Sequence, residues 1–563
     1  MREEKIFSNL DDYIIEKDRI SADYEDGKWK LFDYSTGLCD GKMLVTPEDS
    51  CPEDLSFDLN LKGLYDIYIC LPKLRAVNYL NLKLSSEPGF AGVFATDYIP
   101  MNWTTEEFFE EVYWKTADLT GEKFVIRKTR SGLLSATGIA WIRCVPAEHQ
   151  PVPAVNKCVQ MHIDEDVALV DTLEADADYP AKIYPIKGTN AEFVSFEVGF
   201  DFECAPERKE DHLLHLDAAW DKNNYKYIAK KDTVYKTAVK YAKESGFGIY
   251  AANRMQVSNF ITPFTRYGWN MKFVEENPQF LSETRTGTKV NVCSYAYPEV
   301  QDFVINQFVN VLKYGFDGIT LIYHRGHFVG FDKPVIDRFA ELYPGVNPRL
   351  LPFKDERLHG VWCEFMNEFM QKLRTAVGAD VKINVITDYS LETSKHLGLD
   401  VKYWAENGLI DSVAQADMET FEDLEGCMDD KNPEFIDLEK YKYQLSQRTV
   451  VKRKFGKNVE KVCQHIPEYK NLKTLYGVEV YHVLPWVHRT PPEGYAPIVE
   501  QMKAAGAEKF LSWNTNHLMT DLPEWNTVKT IGNEPIKETL RTFHRVLSID
   551  GYDISQFHPN WRG

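Results

Sequence analysis

Beyond Pro151 the chain alternates between two hydrophobic periods. Apolar residues recur at three-and-four spacing in "DTVYKTAVKYAKESG", "EVQDFVINQFVNVLKYG", "LHGVWCEFMNEFMQKLRTAVG" and "GYAPIVEQMKAAGA". Several of these runs end in Gly, the usual stop of an amphipathic helix. Short apolar runs lie between and around them: "KCVQMHID", "AEFVSFEVGF", "FGIYAANRMQ", "FDGITLIYHRG", "VKINVITDY", "IDSVAQADM", "LYGVEVYHVLPW" and "KFLSWNTNH". Eight strands alternating with helices predict an α/β fold, a (β/α)8 TIM barrel whose reactive groups sit at the C-terminal strand ends. From about residue 20 to 146 the pattern is different. "KWKLFDY", "LYDIYICLP", "YLNLKLSS", "KFVIRKT" and "GIAWIRCVP" are β-branched or aromatic runs parted by Gly, Pro and Asp, which predicts a β-sandwich. The expected division is a sandwich over 1–150 and a barrel unit over 151–563.

Period two then selects lumen faces. Gln160, His162 and Asp164 share one face of the first strand, Ser195 and Glu197 one face of the second, and Thr320 and His324 one face of the fourth. The same parity aligns Asn384 with Asp388, Gln415 with Asp417, and Ser512 with Asn514. A barrel built only for stability fills its lumen with Val, Ile and Leu. Repeated polar residues ending in charged or amide groups instead predict a site. Each carboxylate also has a structural alternative, capping the next helix or pairing with an Arg.

Composition narrows the partners. A net charge of −20 argues against nucleic acid and anionic membranes, which call for basic patches. No run of 18 apolar residues offers a membrane span. The start, "MREEKIFSNLDDYIIEKDR", lacks the apolar stretch of a signal peptide, and ten scattered Cys form no CxxC pair. A cytoplasmic location is expected, although a chain trimmed of its signal would read the same. Aromatics at 13% suit sugar rings as well as cores.

"YPEVQDFVINQFVNVLKYGFDGITLIYHR" is similar to a segment of the bacterial glycosyl-hydrolase-like barrels of a family-10-like group, and "GVEVYHVLPWVHRTPPEGYAPIVEQMKAAGAEKFLSWN" resembles their closing pattern. The resemblance covers about 157–535 and implies carbohydrate-cleaving chemistry on a TIM barrel. "DLNLKGLYDIYICLP" and "WKTADLTGEKFVIRK" resemble galactose-binding-like jelly rolls attached to such enzymes, with Trp103 and Trp114 as sugar-stacking or packed residues. One departure matters: the family's Asp in "DGIxLD" falls on Ile322, and a carboxylate often found two residues earlier falls on Thr320, whereas Arg325 keeps the family's Arg. Most glycosidases use two carboxyl groups. With one gone from the fourth strand, Asp164, Glu197, Asp388 and Asp417 remain.

His324 lies one pleat beyond the missing Asp, and an imidazole does acid or base work near neutrality. A distant resemblance to an inverting sialidase group, with an Asp on its first strand and a His on its fourth, implies Asp164 and His324 as the pair. Arg325, Arg254 or Arg489 would clamp a sugar carboxylate. Expected ligand contacts are Arg254, Tyr323, Arg325, His327, His482, Asn514 and the stacking rings Trp486 and Trp513, although parity sets Trp513 opposite Ser512 and Asn514. No cofactor and no metal are expected. His162-x-Asp164 and His324-x-x-His327 prompt a metal-hydrolase reading, but the fifth and sixth strands add no His. The remaining alternative is a non-catalytic carbohydrate-binding protein with a degenerate glycosidase barrel.

Overall fold

The protein's structure, a computed structural model, describes residues 3–23, 25–46, 50, 52–72, 79–94, 108–128, 137–148, 157–163, 183–198, 234–258, 271–323, 328–352, 355–416, 457–484, 492–513, 515, 522–531, 544–547 and 550. It has an N-terminal β-sandwich followed by a closed (β/α)8 barrel.

The sandwich strands are β1 (Lys5–Phe7), β2 (Ile20–Ser21), β3 (Trp29–Ser35), β4 (Asp40–Thr46), β5 (Leu55–Phe57), β6 (Leu64–Pro72), β7 (Tyr79–Leu84), β8 (Ala91–Phe94), β9 (Phe109–Asp118), β10 (Phe124–Lys128), β11 (Thr137–Ile139) and β12 (Trp141–Pro146). Alternation drives their burial. Ile67, Ile69 and Leu71 of β6 face Leu80, Leu82, Phe124 and Ile126 in one core, while Cys70 and Trp141 fall on the opposite side with Tyr34, Met43 and Phe109. Trp114 is packed in the first core, its ring centroid 6.0 Å from that of Phe124. Trp103 lies outside the described residues.

The barrel runs β13 (Val159–Ile163), β14 (Ala191–Glu197), β15 (Gly248–Arg254), then, after the hairpin β16 (Leu281–Glu283) and β17 (Lys289–Cys293), β18 (Gly318–Ile322), β19 (Lys382–Thr387), β20 (Ser412–Gln415), β21 (Glu479–Val483) and β22 (Phe510–Ser512). Each barrel strand pairs in parallel with the next, and β22 closes on β13. All eight predicted runs are barrel strands. The helices Pro298–Leu312 and Glu356–Val377 turn their apolar stripes onto the outer face of the sheet. The second of these stops at Gly378, whose φ of +85° is costly for any side chain bearing a Cβ.

A short segment after the barrel strands returns to the sandwich. A last strand, β23 (His544–Leu547), pairs antiparallel with β9 at the edge of the five-stranded sheet. The helix Leu522–Thr530 leads toward it, with Leu522 inside the sandwich core and the Asn526 amide donating to the Tyr113 carbonyl at 2.9 Å. β23 therefore belongs to the sandwich sheet, where the sequence pattern assigned it to the barrel half.

Candidate functional site at the barrel mouth

The lumen is layered. At its N-terminal end Phe193 stacks on Tyr250 at 4.1 Å and meets the edge of Tyr481 at 5.5 Å, an aromatic plug. Above it a polar belt crosses the barrel. The Gln160 amide donates to Ser195 Oγ and to Asn384 Oδ1, both at 2.9 Å, Ser195 and Thr320 share a hydroxyl bond of 2.8 Å, and Asn384 Nδ2 donates to Ser412 Oγ. Each member is fully or almost fully buried, so these bonds replace lost hydration.

One pleat higher, the first three strands carry charge. Glu197 ends β14 at 5% exposure, and its Oε1 accepts from Arg254 Nε of β15 at 2.9 Å. His162 of β13 brings Nε2 to 3.5 Å from the same oxygen. Trp513, just past β22, lies flat on the imidazole, with centroids 3.8 Å apart and planes inclined by 4°. A carboxylate held by a guanidinium is suited to act as an anion and not as a proton donor. Across the barrel Asp388 follows β19, buried, with Oδ1 accepting the Tyr389 N–H.

The other side of this level is apolar. Ile322, Ile386, Ala414, Ala416, Val483 and Leu511 form one cluster with Trp513. Ile322, which stands where the resembling family has Asp, is 1% exposed and packed.

Several parity assignments need correction. On β20, Ala414 and Ala416 face the lumen, while Gln415 points into the helix layer, its amide donating to the carbonyls of Tyr389 and Val462. On β22, Leu511 pairs with the lumen residue Gln160 and Ser512 with the outward Met161, so Leu511 and Trp513 face inward and Ser512 does not. This puts Trp513 in the lumen, with one face already covered by His162. Tyr323 turns outward, its ring against Phe328 and Trp404 and its hydroxyl on Met370 Sδ. His482 also faces outward, Nδ1–H donating to Gln415 Oε1 at 2.6 Å. Tyr323 and His482 thus do not line the lumen. Polarity alone does not decide the phases of β20 and β22, because outer-face polar groups find partners in strand-end and helix carbonyls.

Of the remaining candidates, Glu197, Asp388, Arg254 and Trp513 are brought to the lumen side of the mouth. Asp164, His324, Arg325, His327, Asp417, Trp486, Arg489 and Asn514 lie outside the described residues. The described residues on either side, Tyr323 and Phe328, are hydrogen-bonded through their backbones. Tyr323 N–H donates to the Ile386 carbonyl and Tyr295 N–H to the Phe328 carbonyl, both at 2.8 Å. Asp332 ties the following loop to the β16–β17 hairpin, Oδ1 accepting from Glu283 N–H and Oδ2 from Gly330 N–H. Burial pushes its carboxyl above the ordinary value, against the pull of these bonds and of Ser294 and Ser282. Among the described residues, no group of three or more His, Cys, Asp or Glu could hold a metal ion, and no helix is long and apolar enough to cross a membrane.

Two expected outcomes follow from this packing. Tyr469, on the helix Lys457–Tyr476, donates to the Asp388 carbonyl at 2.7 Å and meets Thr387 Oγ1 at 3.1 Å, fixing the end of β19. Tyr469→Phe should cost about 1–3 kcal/mol in chemical denaturation, the usual loss when a buried acceptor is orphaned. His482 supplies a pH dependence. Burial depresses its imidazole from 6.5 to about 4, so the unfolded chain takes up its proton first. Its contribution is present above about pH 6.5 and is lost as pH falls toward 4, roughly 3 kcal/mol in all. Denaturation curves at pH 7 and pH 4.5 should show a smaller acid loss for His482→Gln than for the wild type.

No family model matches the chain, and no curated protein matches it. Among solved structures it is similar to the Podospora anserina GH26-CBM35 β-(1,4)-mannanase, with 12% identity over 94% of this chain and 96% of that one and a TM-score of 0.26. The PgaB (BpsB) glycoside hydrolase domain from Bordetella bronchiseptica matches 65% of this chain and 99% of its own, with 12% identity and a TM-score of 0.37. The α-galactosidase of Thermus thermophilus covers 91% and 94%, with 11% identity and a TM-score of 0.34. An old yellow enzyme homologue from Zymomonas mobilis scores in the same range, 0.31 at 13% identity. Likeness at this level carries no argument about activity.

Proposed function

We propose that this chain is a glycoside hydrolase that removes a terminal sugar from a small glycoside or oligosaccharide by general acid/base catalysis. The observation that carries the reading is Glu197, a buried strand-end carboxylate on Arg254, beside His162 and Trp513, with buried Asp388 across the same barrel mouth. Burying such charges is costly, and a barrel built only for stability has no use for them there.

In this reading Asp164 and His324 exchange the protons, one assisting the leaving oxygen and the other activating water. Glu197 acts as an anion that steadies positive charge developing at the sugar ring. Asp388 and Asp417 are the alternative carboxyl partners. Arg254, Arg325, His327, Trp486, Trp513 and Asn514 bind the sugar. Neither a cofactor nor a metal takes part, and the protein works in a reducing cytoplasm.

The competing reading, a carbohydrate-binding protein on a degenerate barrel, draws support from Ile322, packed among Ile386, Ala414 and Leu511 where the resembling family has a carboxylate. A crystal structure with the released sugar tests both the place and the contacts. The sugar should touch Arg254, Asp388 and the indole of Trp513. A sugar seated on the sandwich alone, with the mouth empty, would overturn the assignment.

A further inference from the structure

His162 has no part in the catalytic scheme above, yet its surroundings are built. Its ring is fully buried and held flat on Trp513 from β22's end. Its Nε2 reaches toward the oxygen that Arg254 already occupies. Of the described charged groups, Glu197 on β14 and Arg254 on β15 are those in ion-pair contact at this cluster. Gln160 and Ser195, its inward neighbours along and across the sheet, are neutral and bonded to each other. An imidazole kept 3.5 Å from a carboxylate oxygen has two states. Protonated, it competes with Arg254 for Oε1 as a charge-assisted donor; neutral with its proton on Nδ1, it leaves that oxygen to the guanidinium.

We propose that His162 is a positioning residue of the mouth that shares Glu197 Oε1 with Arg254, so that gain or loss of its proton resets the partner of Glu197 and the charge presented to substrate. The role of Glu197 toward substrate rests on the glycosidase reading; the His162–Glu197 coupling does not.

The Trp513 stack allows a test that needs no activity. A protonated imidazole in face contact quenches indole fluorescence more strongly than a neutral one. In the full-length protein, Trp emission followed over about pH 4.5 to 9 should therefore show a reversible step in the range where histidines titrate. Subtracting the Trp513→Phe titration isolates this step from the other indoles. The step should vanish in His162→Gln. In Glu197→Gln, which removes the anion that favours the charged imidazole, it should move to lower pH. A step unchanged in His162→Gln, or unmoved in Glu197→Gln, overturns the proposal, as does absence of any Trp513-dependent step. Circular dichroism confirms that each variant is folded. Should His162→Gln fail to fold, Glu197→Gln and Trp513→Phe still decide the coupling.

Activity supplies the second arm. On a cleaved glycoside, His162→Gln should remove or displace one limb of the kcat/KM profile against pH, beyond lowering its height. A profile of unchanged shape limits His162 to packing. If no glycoside is cleaved while the fluorescence step behaves as described, the hydrolase reading fails and the proton-sharing pair stands.

Discussion

His324→Ala is expected to lower turnover of a cleavable glycoside by roughly a hundred- to ten-thousand-fold, the usual worth of a positioned proton donor or acceptor. KM should change far less, because the loss falls mainly on the transition state. Asp164→Asn should do comparable damage. If the two groups act as a unit, the double variant should be little worse than either single one. The anchoring of the neighbouring backbone makes the experiment clean: Tyr323 and Phe328 are buried with their rings 5.1 Å apart, and both are held by backbone hydrogen bonds. Removing an imidazole between such fixed ends should leave the barrel intact, which thermal denaturation of the variant checks. A folded His324→Ala protein with near-normal turnover would take His324 out of the mechanism and leave Glu197, Asp388 and Asp417 as candidates.

Ile322→Asp carries the second large effect, and here it falls on stability. The substitution restores the carboxylate of the resembling family, yet it should neither raise activity nor rescue His324→Ala. Ile322 is 1% exposed and belongs to an apolar lumen cluster with Ile386, Ala414 and Leu511. An Asp there loses the burial of the Ile side chain and must be neutralised or leave its carboxylate desolvated. A loss of about 3–5 kcal/mol is expected, read by urea denaturation against the wild type. An Ile322→Asp protein of wild-type stability would mean that this level of the lumen is hydrated and would revive a carboxylate on the fourth strand as a catalytic group.

The barrel was legible because its two periods are unmixed: eight short apolar runs and four amphipathic helices with glycine stops all became elements where the pattern put them. Other elements left weaker traces. The β16–β17 hairpin is largely exposed along β17, so it shows no strong alternation. β23 lies far from its partner β9 in sequence, and no local pattern reveals such a pairing.

Lumen faces were readable where a charged strand end agreed with the parity of the strand, as for Glu197. They were misread on β20 and β22. There Gln415 and Ser512 are polar but satisfied outside the lumen, and Ala414, Ala416 and Leu511 fill the interior. Hydrophobicity alone cannot choose between two faces that are both buried. The His162–Trp513 stack depends on the closure of the first strand against the eighth, which no local stretch of sequence records.

The most direct measurement is turnover of a panel of chromogenic glycosides, including sialosides, fucosides and galactosides, by freshly purified full-length protein. A hydrolase at this mouth should release chromophore from at least one member, at a rate that survives chelator and is lost in His324→Ala. No release from any member, by protein that still binds a sugar of the panel in calorimetry, would contradict the account and leave a carbohydrate-binding barrel.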